Sequence, residues 1–387
     1  MASNKIQRSV FAVILCLALV AVAIWCLRKP QAPDRSGKNP GSTIPSITNP
    51  IANIPVPTPS TSASTSGQLQ AMAASLRAAT NAMSAHEQLE QLRAMLAAMP
   101  KDQAIALIRQ FLDSKADADT HLGFKVGQGG LLDDAPTLRT FLLDELARLD
   151  PAAAADYSKT ILQSKDSPDE WAVALRNLAW GDTSADGRTL LEQKTTEMLQ
   201  YPPWQQNPST GFLEAFDVAV YLGGTSLMPT LTSMLQQQND PAISHASYLA
   251  LDRLVINNPQ TTLAGLLADP TSMQGHESTR ADYFARADVS DPQQRQIVEN
   301  YLLNPQISAA ELNTFAGIFP NANYMISPNL LTQSQTPNHA ALAARDAASL
   351  QAVQQWMTDP RFSQLQPELE QMQTRIAGYV QQETAAH

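Results

Sequence analysis

Cysteine is all but missing from this 387-residue chain: there are two, Cys16 and Cys26, and both lie in one apolar run near the amino terminus. Nothing beyond Cys26 can do thiol chemistry, and a thiol-free body suits an oxidising compartment. Basic charge is also scarce. Lys+Arg number 26 against 36 Asp+Glu, a formal charge of -10, and four of the basic residues (Lys5, Arg8, Arg28, Lys29) fall in the first 29 positions, which hold no acid. The remainder is therefore more acidic than the whole. Such a body repels phosphate backbones, whose capture needs a basic patch, so nucleic acid is not expected as a partner.

Familiar catalytic patterns are missing as well. Neither Gly-x-Ser-x-Gly nor Ser-x-x-Lys occurs, which removes two common serine-nucleophile signatures. The six histidines (His86, His121, His245, His276, His339, His387) are scattered, and His86-Glu87 is followed by Glu90 where the zinc pattern HExxH requires a second histidine. "GFKVGQGGLLDD", Gly123 to Asp134, is glycine-rich but has no Gly-Lys-Ser/Thr, so it reads as a surface loop and not a phosphate loop. "DADTHLG", Asp117 to Gly123, carries Leu122 where a calcium loop needs glycine and ends on Gln128 where it needs Glu. No catalytic, cofactor-binding or metal-ligating residue is assigned, and no cofactor is expected. Acid pairs such as Asp133-Asp134 and Asp169-Glu170 could supply the two carboxylates that glycosidic cleavage holds about 5–9.5 Å apart. Acids near helix starts are, however, what the helix dipole favours by itself.

What is present begins with "SVFAVILCLALVAVAIWCL", Ser9 to Leu27, an uncharged stretch long enough as a helix to cross most of a ~30 Å hydrocarbon layer. It reads as a single transmembrane helix behind a short tail, 1–8. The alternative is a cleaved signal peptide at Ala21-Val22-Ala23, but the run exceeds the usual ~7–15-residue apolar core. Arg28, Lys29, Arg35 and Lys38 follow the span, which by the positive-inside rule alone keeps the body in the cytoplasm. Cysteine usage argues the other way. The reading taken is a bacterial inner-membrane protein, single-pass, with its carboxy-terminal domain in the periplasm. Residues 28–67 are crowded with Pro, Ser, Thr and Asn and lack an amphipathic period; such a stretch cannot bury enough to fold and serves as a spacer of ~3.1 Å per residue.

From Gln68 to His387 apolar residues recur at three and four positions. Leu138, Leu142, Leu146 and Leu149 share one helical face, as do Trp171, Leu175 and Leu178, and no comparable segment alternates as a half-buried strand does. The fold class is all-α. Asp150-Pro151, Ser167-Pro168, Asp240-Pro241, Asn258-Pro259 and Asp291-Pro292 each pair a capping side chain with a proline at the first helical position. Approximate starts at Pro136, Pro151, Pro168, Ala185, Gly211, Leu227, Pro241, Pro259, Gly275, Pro292 and Ser308 give two helices about every 33 residues, the mark of a solenoid of short antiparallel helix pairs.

Within this pattern Leu222-Gly223 is a helix end, Leu227, Met228, Pro229 and Leu231 open the next helix, and Asp240-Pro241, Ile243, Ala246, Ala250-Leu251 and Leu254 follow. This stretch, clearest over residues 211–255, resembles HEAT-like α-helical repeat proteins. It departs from them at Ser244, where such repeats often carry Arg, and at Asp252, where they carry Gly. The resemblance implies a curved protein-binding scaffold and no activity.

"YPPWQQNPST", Tyr201 to Thr210, interrupts the period with two prolines between aromatics. Tyr201 and Trp204 are the candidate protein-binding residues, since rigid aromatics are enriched at interface hot spots; the alternative is that Trp204 plugs a gap between helix pairs. A second irregular stretch, Phe319 to Asn338, is either a binding loop or a connector. The expected function is a membrane-anchored scaffold or adaptor that binds a protein partner, without catalysis, with self-association as a further option. The rival is an envelope hydrolase of cell-wall or peptide substrates using carboxylates in an all-helical cleft.

Overall fold

The computed structural model describes residues 61–79, 81–237, 240–323, 326–333 and 338–385. The expected transmembrane helix at 9–27 and most of the expected spacer lie outside them. No helix among the described residues is long and apolar enough to cross a membrane.

Among the described residues the body is all-α apart from one small hairpin and an isolated bridge between Asp119 and Thr137. Helices α1 (Thr61–Ala78), α2 (Ala82–Ala98) and α3 (Lys101–Asp113) are followed by β1 (Lys125–Val126) and β2 (Leu132–Asp134), then α4 (Leu138–Leu149), α5 (Pro151–Ile161), α6 (Pro168–Gly181) and α7 (Ala185–Leu199). The chain continues through α8 (Pro202–Gln206), α9 (Thr210–Glu214), α10 (Phe216–Leu222), α11 (Met228–Leu235), α12 (Pro241–Asn257), α13 (Pro259–Ala268) and α14 (Glu277–Ala285). It ends with α15 (Pro292–Leu302), α16 (Ala309–Ile318), α17 (His339–Thr358) and α18 (Gln366–Ala385). Helix α1 opens at Thr61, inside the last residues of the expected spacer.

The capping chemistry read from sequence is visible at four of the five Xaa-Pro starts. Asp150 accepts from the amides of Ala152 and Ala153, Asp240 from Ala242 and Ile243, Asp291 from Gln293 and Gln294, and Ser167 from Glu170. Each satisfies amides that the first helical turn leaves without partners. Asn258 differs, its side chain making no cap bond. Its own N–H instead closes α12 onto Leu254 O at 2.8 Å while its carbonyl receives Thr262 N at 3.0 Å, so one residue ends one helix and starts the next through its backbone. The single start expected at Gly211 is two short helices, α9 and α10, meeting at Ala215.

The hairpin corrects the reading of Gly123–Asp134 as a surface loop. Lys125 pairs with Asp134 and Val126 with Leu132 in antiparallel register, and Val126, Gly130 and Leu132 are buried. Gly129 (φ 77) and Gly130 (φ 84) supply the left-handed turn, a conformation open to glycine at no steric cost. The alternation is too short to register as a strand in the sequence.

Packing passes between chain neighbours (α5 on α6, α11 on α12, α17 on α18), between next-but-one helices (α4 on α6, α10 on α12, α14 on α16, α16 on α18), and from α6 to α9 across two intervening helices in sequence. Helices α12 and α14 are joined where Tyr283 Oη donates to Tyr248 O at 2.9 Å over rings 5.9 Å apart. In the carboxy-terminal part an unbroken series of rings runs Phe284, Tyr301, Phe315, Phe319, Trp356, Phe362, with neighbouring centroids 4.0 to 6.0 Å apart. Each such contact adds ~0.5–1.5 kcal/mol beyond area burial. Beside it, Arg280 makes two bonds to Glu311, at 2.8 and 2.7 Å, and Tyr301 donates to the same carboxylate at 2.9 Å. Those bonds meet the hydrogen-bonding needs that burial imposes on the charges.

Candidate functional site

Tyr201 and Trp204 are brought together, but turned inward. Trp204 is 7% exposed, edge-on to Trp171 (5.3 Å) and to Tyr201 (5.0 Å), so it fills the gap between α6 and the short α8. Tyr201 is half-buried under the Lys165 ammonium, 4.5 Å from its ring centroid. The acid pairs are likewise committed. Asp169 accepts from Ser209 Oγ at 2.6 Å and Gly211 N at 2.9 Å, tying the start of α6 to that of α9. Glu170 takes Arg139 through both oxygens, and Asp134 faces His86 Nδ1 at 3.0 Å.

The described residues of the second irregular stretch, 319–323 and 326–333, have a definite course. After α16 they lie as a strap against α14, α12 and α10 and reach the hairpin. Asn321 donates to Asp282, and its N–H reaches Ala285 O at 2.8 Å. Arg286 donates to Asn323 O and Arg253 to Asn329 Oδ1. Buried Asp217 of α10 accepts from the N–H groups of Leu331 and Thr332, both at 2.8 Å, and from Thr332 Oγ1. The strap's backbone donors, which no helix would satisfy, thus find a carboxylate. From the other side Arg345 donates to Asn321 O at 3.1 Å and Arg375 to Phe319 O.

At Leu330 the strap meets the glycine turn. A Cβ at Gly130 would fall 2.1 Å from Leu330 O, so only glycine permits this approach. The turn is fixed from below by Arg176, wholly buried, which donates to Gly130 O at 2.7 Å and to Asp144 and lies 4.6 Å from the Trp180 ring centroid. Asp144 in turn receives Leu132 N at 3.0 Å.

Between turn and strap lies a recess of about 340 Å³. Gln128 and Gly129 form one wall; Ser327, Asn329, Thr332 and Gln333 form the other. Ile326 and Pro328 add apolar surface at the rim, Ile326 being 58% exposed. Among the described lining residues there is no charge and no carboxylate pair, although Asp217 is bonded to one of them, Thr332. Asp217 is sealed by the strap, and burial, with the charge of Asp217 adding to it, raises the carboxyl of Glu214 despite Arg253. Farther along, burial outweighs Arg286 and pushes Asp252 up to about 6. Arg286 Nε lies 2.6 Å from that carboxylate, an ion pair by distance that is not aligned as a hydrogen bond. Among the described residues no cluster of three or more His, Cys, Asp or Glu side chains could hold a metal ion.

Sequence reasoning missed Asp217, Arg253 and Gly130. The signals available were a lone acid inside an apolar helix, the departure at Asp252 next to Arg253, and a double glycine. No family model, no curated protein and no solved structure matches the chain.

Proposed function

We propose that the chain is a membrane-tethered scaffold of HEAT-like helix pairs that holds a protein partner in the bacterial envelope. The observation that carries this reading is the run of helix-on-helix packing from α4 to α18, with an extended segment already laid across several of its helices and gripped by their side chains. A stacked array of that kind offers one long surface built from successive units. The span at 9–27 and the proline-rich residues after it serve as anchor and spacer, and the thiol-free body is placed in the periplasm. Crosslinking in intact membranes followed by affinity recovery of the full chain is expected to yield a second, distinct protein in defined stoichiometry. Recovery of this chain alone would count against the reading and in favour of self-association, which light scattering of the detergent-solubilised chain would show as a concentration-dependent mass. The hydrolase alternative draws no support from the recess, whose described lining carries no carboxylate.

A further inference from the structure

We infer that the recess between the Gln128–Gly130 turn and the 326–333 strap is a binding site for an extended, uncharged peptide segment, the part of the partner that the scaffold reading leaves unspecified. Charge points to the first property. In a chain of formal charge -10 the described lining of the recess carries no charge, presenting amide and hydroxyl side chains beside Ile326 and Pro328, and Asp217 and Arg253 are turned into the strap. An anionic or cationic ligand would find no counter-charge there and would lose hydration without return. A chain of peptide groups, neutral and alternately donating and accepting, finds both functions in each of Gln128 and Gln333.

The extended form follows from the walls themselves. Gly129 has φ 77, and a Cβ on it would meet nothing within 4 Å, so bare backbone faces open space on that side. The opposite wall is non-helical chain held flat by Asp217 and Arg253. A segment laid between two such walls is recognised mainly through its main chain, as in strand-type peptide capture. Ile326 and Pro328 at the rim leave room for one apolar side chain of the ligand. The protein already holds one non-helical segment, the strap, at uncharged groups: Asn321 donates to Asp282, and Arg286 and Arg253 donate to Asn323 O and Asn329 Oδ1.

The inference rests on the scaffold reading and is tested separately from it. Full-length chain in detergent is applied to an array of immobilised twelve-residue peptides in three sets (uncharged, acidic and basic) and to an array of neutral oligosaccharides. Binding to members of the uncharged peptide set is expected, with affinity falling at least tenfold in Gln128→Trp, which fills the recess from an exposed position, and unchanged in Gln293→Trp on the exposed side of α15. Hydrogen exchange at Leu331 and Thr332 checks that Gln128→Trp keeps the strap seated. Preference for charged peptides, binding to sugars alone, no binding, or equal binding by Gln128→Trp would each overturn the assignment. If Gln128→Trp still recovers the partner from crosslinked membranes, the scaffold stands and this site falls.

Discussion

At the residue scale the clearest case is Asp240, whose carboxylate serves the amides of Ala242 and Ile243. Asp240→Ala is expected to lower stability by ~1 kcal/mol, read as a shift in the denaturant midpoint with an unchanged slope. Asp252 behaves differently because burial raises its carboxyl from 3.8 to about 6. In the window between those values the folded chain holds a proton that the unfolded chain has lost. Its contribution is therefore fully present below about 4 and disappears as pH rises through about 6, a fall of ~2–3 kcal/mol at most by linkage. Arg286, Arg253 and Asp282 surround the group, and Asp252→Asn removes its titration while leaving theirs. Thermal midpoints measured from pH 4 to 7 are expected to decline less steeply in Asp252→Asn than in the parent, and parallel profiles would contradict the assignment.

At the level of elements, most helices could be read directly from the chain because their starts are local chemistry: an oxygen-bearing side chain, a proline, then apolar residues at helical spacing. Pro151, Pro168, Pro241 and Pro292 begin helices in the structure where the capping pairs put them. Thr137, and not a proline pair, starts α4 two residues beyond the expected Pro136, since its hydroxyl reaches Thr140 N. The strap and the hairpin were opaque for the opposite reason. Their conformation is fixed by residues far away in sequence, Asp217 for Leu331 and Arg176 for Gly130, and no local period records such partners. The recess was hidden with them, whereas Tyr201 and Trp204 attracted notice because aromatics between prolines look the same in sequence whether they point in or out. Replacing Asp217 by Ala strips three hydrogen bonds from the strap. Amide exchange at Leu331 and Thr332 is expected to rise at least tenfold in this variant while the core of α6 keeps its protection. Uniform loss across the body would mean that the strap is integral to global stability and not a separately seated part.

For the molecule as a whole, the placement of the body relative to the bilayer is the proposal with the widest consequences, and it is open to a direct test. Met83 is 75% exposed, and the chain's own cysteines, Cys16 and Cys26, both lie within the expected span. Met83→Cys is expected to react with a membrane-impermeant thiol reagent in cells with a permeabilised outer membrane, while the parent chain does not. Reaction only after lysis would move the body to the cytoplasm.

The strap also sets a schedule. Asp217 and Leu331 are 114 residues apart, so while helices α4 to α7 can settle as they emerge, the carboxylate of α10 has Arg253 at 3.7 Å but none of its strap donors until the strap has been made. At roughly 5–20 residues per second of synthesis that wait is on the order of ten seconds. During it the nascent array carries an acid without its hydrogen-bond donors, on the ground where a foreign stretch of chain could lie down first. Products ending before Thr332 never close that gap, so premature termination would leave a half-built protein that is more adhesive than the finished one.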